Sequence, residues 1–173
     1  MSRALEAAKI ADRLRNELAA IRHHFQTTSE FKKLPNFQSD HAKKVHWPLI
    51  EQHLLVSLSV TLFKVIEFYE KYQSYLPNTA KETLKEMYIE LLQRGVRDFR
   101  HQFCGHIQNQ KTKSIITDAQ LTEHFRKFSN GQNFEEIGQW LWNMHDNNPK
   151  TAGCLSSKLE IISIEIYSMA ELA

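Results

Sequence analysis

The 173-residue chain predicts an all-α fold: an up-and-down helical bundle of four long helices plus one or two short ones, with residues 1–173 forming a single domain. Three observations predict it. Apolar residues recur at three- and four-residue steps along most of the chain, and no segment alternates as a half-buried strand does. Glycine and proline are scarce, at five and four residues, too few for a turn-rich β architecture. The apolar fraction of 42% and charged fraction of 24% are ordinary for a globular protein with a real core.

The first helix is expected over residues 2–25. Ser2 is its N-cap, and Leu14, Leu18, Ile21 and Phe25 are its buried seam. A loop is expected over 27–45, marked by Pro35, Asn36, Ser39 and Asp40 and packed down by Phe31, Leu34 and Phe37. A loop of that length in a compact domain is often functional. The second helix should start at Trp47-Pro48, with proline in the first turn, and reach about residue 75. Its stripe of Leu55, Leu58, Leu62, Val65, Ile66, Tyr69 and Tyr72 is widened by Leu54, Val56, Val60 and Phe63, which predicts a central position.

Thr79-Ala80-Lys81-Glu82 reads as a capping box that opens the third helix. Leu84, Tyr88, Leu91, Leu92, Gly95 and Phe99 form its apolar face, and it should fray or bend at Gly105. Inside a helix Gly95 costs about 1 kcal/mol against alanine, which the close approach of a neighbouring helix would explain. Residues 108–114 form a polar connector. A short helix over 118–128 precedes another that begins at Asn133 and ends near 146, with Ile137, Trp140, Leu141 and Met144 inward. Asn147, Asn148 and Pro149 break the chain. The last helix uses Leu155, Leu159, Ile162, Ile166 and Met169, and Ile161 and Ile164 broaden its stripe beyond what one partner helix covers.

Net charge is only +2, so no global field demands nucleic acid. Between residues 93 and 113, however, Arg94, Arg97, Arg100, Lys111 and Lys113 face one acid, Asp98, a local excess that suits a phosphate backbone. Cys104 and Cys154 form no C-x-x-C pair, which predicts reduced thiols and a cytoplasmic protein. The N-terminus lacks a signal-peptide core. The least polar run, 54–63, is too short for a bilayer and is flanked by His53 and Lys64, so no membrane partner is expected. His23, His24, His41, His46 and His53 show no Glu-x-x-His pairing, so neither a metal nor a cofactor is expected. P-loop, dinucleotide and G-x-S-x-G motifs are absent.

The chemistry-bearing segment is Arg97-Asp98-Phe99-Arg100-His101-Gln102-Phe103-Cys104-Gly105-His106. Arg100 shares a helix face with Val96, Phe103 and Cys104, so it must either be paired or serve a site. Glu67 and Glu70 are the candidate structural partners. His106, six positions on, lies about 120° from Arg100 around a straight helix. The two converge only through a break at Gly105 or across two subunits.

Arg100-His101 followed by His106 resembles the motif of the HEPN superfamily, in which a polar residue follows the arginine and a histidine comes a short spacing later. The resemblance implies a homodimer whose paired motifs line one cleft, and a metal-independent endoribonuclease. In it His106 would be the general acid/base, Arg100 the phosphate grip and His101 the orienting polar residue. Arg94, Arg97, Lys111 and Lys113 would then help to hold RNA. Many such proteins serve in toxin–antitoxin systems or phage defence under an antitoxin or other regulatory protein. Others are non-catalytic interaction modules that bind a protein or nucleotide partner, and that alternative stays open.

Overall fold

The computed structural model describes residues 3–101, 118–141 and 153–171. In chain order the helices are α1 (Arg3–Lys33), α2 (Trp47–Tyr72), α3 (Asn78–Gln93), α4 (Val96–Phe99), α5 (Asp118–Ser129), α6 (Phe134–Leu141) and α7 (Leu155–Glu171), with no strand among the described residues. The four long ones, α1, α2, α3 and α7, close an up-and-down ring. In it α1 packs on α2 and α7, and α3 packs on the same two. Contacts along the seams show the antiparallel pairing. Tyr72 donates to Glu6 at 2.7 Å and Lys64 to Glu17 at 2.7 Å across α1–α2. Ser163 donates to Asp12 at 2.6 Å and Arg15 to Glu160 at 3.1 Å across α1–α7.

Inside the ring the core is continuous, from Leu14, Leu18 and Phe25 through Leu58, Leu62 and Ile66 to Leu84, Met87, Leu91, Leu159, Ile162 and Ile166. Ala7, Ala8 and Ala11 are fully buried, small enough to let neighbouring backbones approach α1. The central role expected of the second helix is shared with the first. At 31 residues α1 spans about 46 Å, and it packs on α2, α6 and α7. α2 carries an unbroken apolar stretch. The helix Ala42–Tyr75 contains an 18-residue window of mean hydropathy 1.5, long and apolar enough by length and composition to cross a membrane. Its Leu58, Leu62, Val65 and Ile66 are spent inside the bundle.

Two expectations are corrected. The loop over 27–45 is mostly helical. α1 continues to Lys33, supported by Gln26 donating to Glu30 at 3.1 Å and by a Lys32–Glu51 ion pair. Pro35 then stops it, forcing Leu34 into an extended conformation with ψ 136°. A short 3-10 turn, Pro35–Phe37, and a π-helical turn, Ala42–His46, lead into α2. The Trp47 indole N–H closes this corner on the Phe37 carbonyl at 3.1 Å. Phe31, Leu34 and Phe37, expected to pack this segment down, are instead exposed, with Phe37 in ring contact with Phe31 and Trp47, and the segment's helicity lies in local pairs with weak sequence signal.

The third helix is the second correction. It ends at Gln93, not near residue 105, because Gly95 adopts φ +66°, ψ 28° and caps it with its amide on the Leu92 carbonyl at 2.9 Å. Glycine is tolerated there because a left-handed residue terminates the helix. A Cβ would also meet the Lys127 side chain at 3.1 Å. Nor does the expected capping box form. The helix opens at Asn78, and Thr79 donates instead to Glu165 on α7 at 2.7 Å. A reciprocal cap does form at α6, where the Glu136 amide donates to Asn133 at 3.0 Å and the Asn133 amide to Glu136 at 2.8 Å.

Gly95→Ala should therefore destabilise the protein by about 1 kcal/mol or more, read by urea denaturation, because alanine must adopt the same left-handed backbone. At Glu17, burial works to raise the carboxyl pKa. The hydrogen bond and charge of Lys64, with Arg13 and Thr61, outweigh it and hold the group below its ordinary value of 4.5. A depressed carboxyl stabilises the folded state above that ordinary value and loses the contribution as pH falls below it. Glu17→Gln should accordingly flatten the acid limb of stability against pH, and an unchanged limb would contradict this role.

Candidate functional site

Beyond Gly95 the chain turns into α4 and then a π-helical turn that carries Arg100 and His101. This stretch runs antiparallel to α2: Arg97 reaches Glu70, and Arg100 reaches Phe63 nearer the α2 start. Phe99, the buried anchor of α4, stacks on Phe128 of α5 with centroids 4.5 Å apart, which fixes the position of the residue after it.

Phe63 is the platform of the site. The Arg100 guanidinium carbon sits 4.5 Å from its ring centroid, and the His101 ring stands edge-on to it at 5.5 Å. Such a cation–ring contact is worth about 0.5–2 kcal/mol. Arg100 is half-buried and His101 exposed. No carboxylate among the described residues lies within ion-pair distance of Arg100, since Glu70 is taken by Arg97. Arg100 is thus held in place with no neutralising carboxylate among the described residues. Sequence placed Phe63 only in the broadened stripe of α2. Its role depends on a contact 37 positions away, which no local pattern signals.

The other expected RNA-binding residues divide. Arg94 is corrected: it is 8% exposed and engaged within the fold through its Nε and Nη1 groups. Its guanidinium lies 3.8 Å over the Trp140 ring. It donates to Glu90 at 3.3 Å, to the Ser129 carbonyl at 3.3 Å, to the Phe128 carbonyl at 3.5 Å and to Gln132 at 2.9 Å. Burial pulls its pKa down and Glu90 opposes the pull. Arg94 keeps the α3 backbone, with its amide on the Glu90 carbonyl at 3.0 Å, and the break at Gly95 sends Arg97 off in another direction, so the two do not share a face. Arg97 stays at the surface with its charge offset by Glu70. His106, Lys111 and Lys113, with Cys104 and Gly105, lie outside the described residues. The structure therefore brings together Arg100 and His101.

A cavity of about 200 Å³ adjoins the site, lined by Pro48, Glu51, Gln52, Leu55, Phe99 and Phe125. It is smaller than most small-molecule sites. His41 and His46 stand edge-to-face at 4.8 Å, but no group of three His, Cys, Asp or Glu side chains among the described residues is placed to hold a metal ion.

The two arginines should separate experimentally. Arg94→Ala takes a donor from Glu90, which keeps the Trp140 indole N–H, and from Gln132 and the Phe128 and Ser129 carbonyls, and should cost about 2 kcal/mol in urea denaturation. Arg100→Ala should cost about 1 kcal/mol or less.

A family model that matches this chain was not found, and no curated protein is similar to it. Among solved structures it is similar to an integron cassette protein from the mobile metagenome of V. paracholerae, with a TM-score of 0.72 and 17% identity over 96% of this chain and 98% of that one. At that identity the likeness is one of fold, and it extends over the whole of the bundle described above.

Proposed function

We propose that this chain is a HEPN-like, metal-independent endoribonuclease that acts as a cytoplasmic homodimer in a toxin–antitoxin or phage-defence setting. The observation that carries the reading is Arg100: fixed on Phe63, flanked by His101, and free of any carboxylate among the described residues. A cation kept in place and uncompensated is suited to a phosphate, which it can grip with two parallel hydrogen bonds. In the reaction Arg100 would bind the scissile phosphate and stabilise its developing charge. His106 would take the proton from the ribose 2′-hydroxyl as that oxygen attacks phosphorus, and return a proton to the departing 5′-oxygen. Lys111 and Lys113 would hold flanking backbone, with Arg97 in a lesser role because Glu70 already pairs with it.

A second observation supports the dimer. Val45, Leu49, Gln52, Val56, Val60 and Phe63 share one side of the Ala42–Tyr75 helix by helical spacing, and all are exposed or half-buried. This apolar line ends at the ring that carries Arg100. A second copy packed along it would bring two Arg100 side chains toward one cleft.

The reading predicts RNA cleavage by the purified protein in the presence of EDTA. His106→Ala and Arg100→Ala should each lower the rate by about 100-fold or more while circular dichroism stays unchanged. Structured and single-stranded RNAs all left intact by the wild-type protein would sink it.

A further inference from the structure

On the side of the bundle formed by α3 and α7 lies an open groove of about 430 Å³, lined by Thr79, Glu82, Thr83, Glu86, Ile161 and Ile164 with Glu165. Its apolar floor is unusually exposed. Ile164 is 52% exposed and Ile161, one turn away on α7, is half-buried, while Ile89, beyond the groove's end at Glu86, is 44% exposed. Large apolar side chains left uncovered side by side mark an interaction surface more often than solitary ones do. Around that floor stand Glu82, Glu86 and Glu165. No Lys, Arg or His among the described residues lies within ion-pair distance of any of them, and only the Thr79 hydroxyl bonds Glu165. Lys81 sits on another side of α3 by helical spacing, and Lys85, one turn from Glu82, stands at the edge of the groove without an ion pair to it. Lys158 lies seven residues before Glu165 on α7, level with Glu86 on the antiparallel α3, but it does not line the groove and forms no ion pair with Glu86.

We infer that this groove binds an amphipathic helix of another protein, one whose apolar seam is flanked by lysines or arginines. The seam would cover Ile161 and Ile164, and the flanking cations would meet Glu82, Glu86 and Glu165. From Thr79 to Glu86 the groove runs about 10 Å, the length of two helical turns, which suits the helix-in-groove mode of recognition. Charge selects among occupants. RNA and anionic lipid are repelled by the three carboxylates. A second copy docked through the same face would set those carboxylates against their own equivalents. A cationic helix gains from both parts of the surface. The inference does not rest on the ribonuclease reading, since none of these residues belongs to the Arg100 site.

The test uses the full chain and a fluorescein-labelled leucine–lysine peptide of about 14 residues with an amphipathic helical pattern, read by fluorescence anisotropy. Binding should weaken about tenfold or more in Glu82→Lys/Glu86→Lys, and likewise in Ile164→Asp, with circular dichroism unchanged. Glu135→Lys, an exposed acid on α6, should leave it unaltered. Equal binding by all variants would overturn the proposal, as would equal loss in Glu135→Lys, which would mean attraction to charge anywhere. Sedimentation velocity supplies a separate readout. A dimer that falls apart in Ile164→Asp would make the occupant a second copy and overturn it too. RNA cleavage that persists in every groove variant keeps the outcome distinct from that of the catalytic reading.

Discussion

A guanidinium taken out of water must have its hydrogens satisfied, and the way Arg94 meets that demand organises one side of this protein. Its bonds go to the last carbonyls of α5, to Gln132 in the turn that follows, and to Glu90 one helical turn earlier, while its flat face lies on Trp140 of α6. Glu90 also accepts the Trp140 indole N–H at 2.7 Å, so one carboxylate holds both members of the stack. Three short elements that could not fold alone are tied to the end of α3 by one side chain. The demand is strict because lost partners leave an uncompensated buried charge. Gly95 follows directly and sends α4 off along α2, so the position of Arg100 is set by how Arg94 is satisfied.

Much of this architecture is legible in the residues. The seams of α1, α2, α3 and α7 follow from helical spacing, and nearly all of the named positions there are buried. What escaped has particular causes. Gly95 was placed inside a helix because glycine in an apolar pattern looks the same whether it sits mid-helix or caps one, and only its backbone angles tell them apart. The corner after α1 looked like a loop because Pro35, Asn36, Ser39 and Asp40 cluster there. The first helix, expected to end near Phe25, runs on to Lys33 before Pro35 stops it, and helical structure resumes within a few residues. Thr79 and Glu82 have the spacing of a capping box, yet a carboxylate from another helix outcompetes the local partner.

The candidate site was read in part. Arg100 and His101 were picked out by residue type, and both lie at the surface end of α4. Arg94 looked like their companion, since a continuous helix would present it beside Arg97, and a single left-handed residue reversed that. Glu70 was a candidate partner for Arg100 but pairs with Arg97, one turn earlier. Phe63, the ring beneath both Arg100 and His101, had no signal of its own. These are failures of tertiary context rather than of composition: the residue types were right, and which side chains meet depends on where the helix stops.

The pairing of α1 with α7 has a consequence for the order of assembly. Asp12 accepts from Ser163 and from Tyr167, more than 150 residues away, and the alanines of α1 have no side-chain bulk with which to build a core alone. During synthesis, at roughly 5–20 residues per second, one flank of α1 has no partner until α7 leaves the ribosome. Contacts of such separation also slow folding, because the chain must close a long loop before they form. The ring is therefore completed by its last helix, and for several seconds of every synthesis the nascent chain carries an open apolar side that a chaperone could occupy.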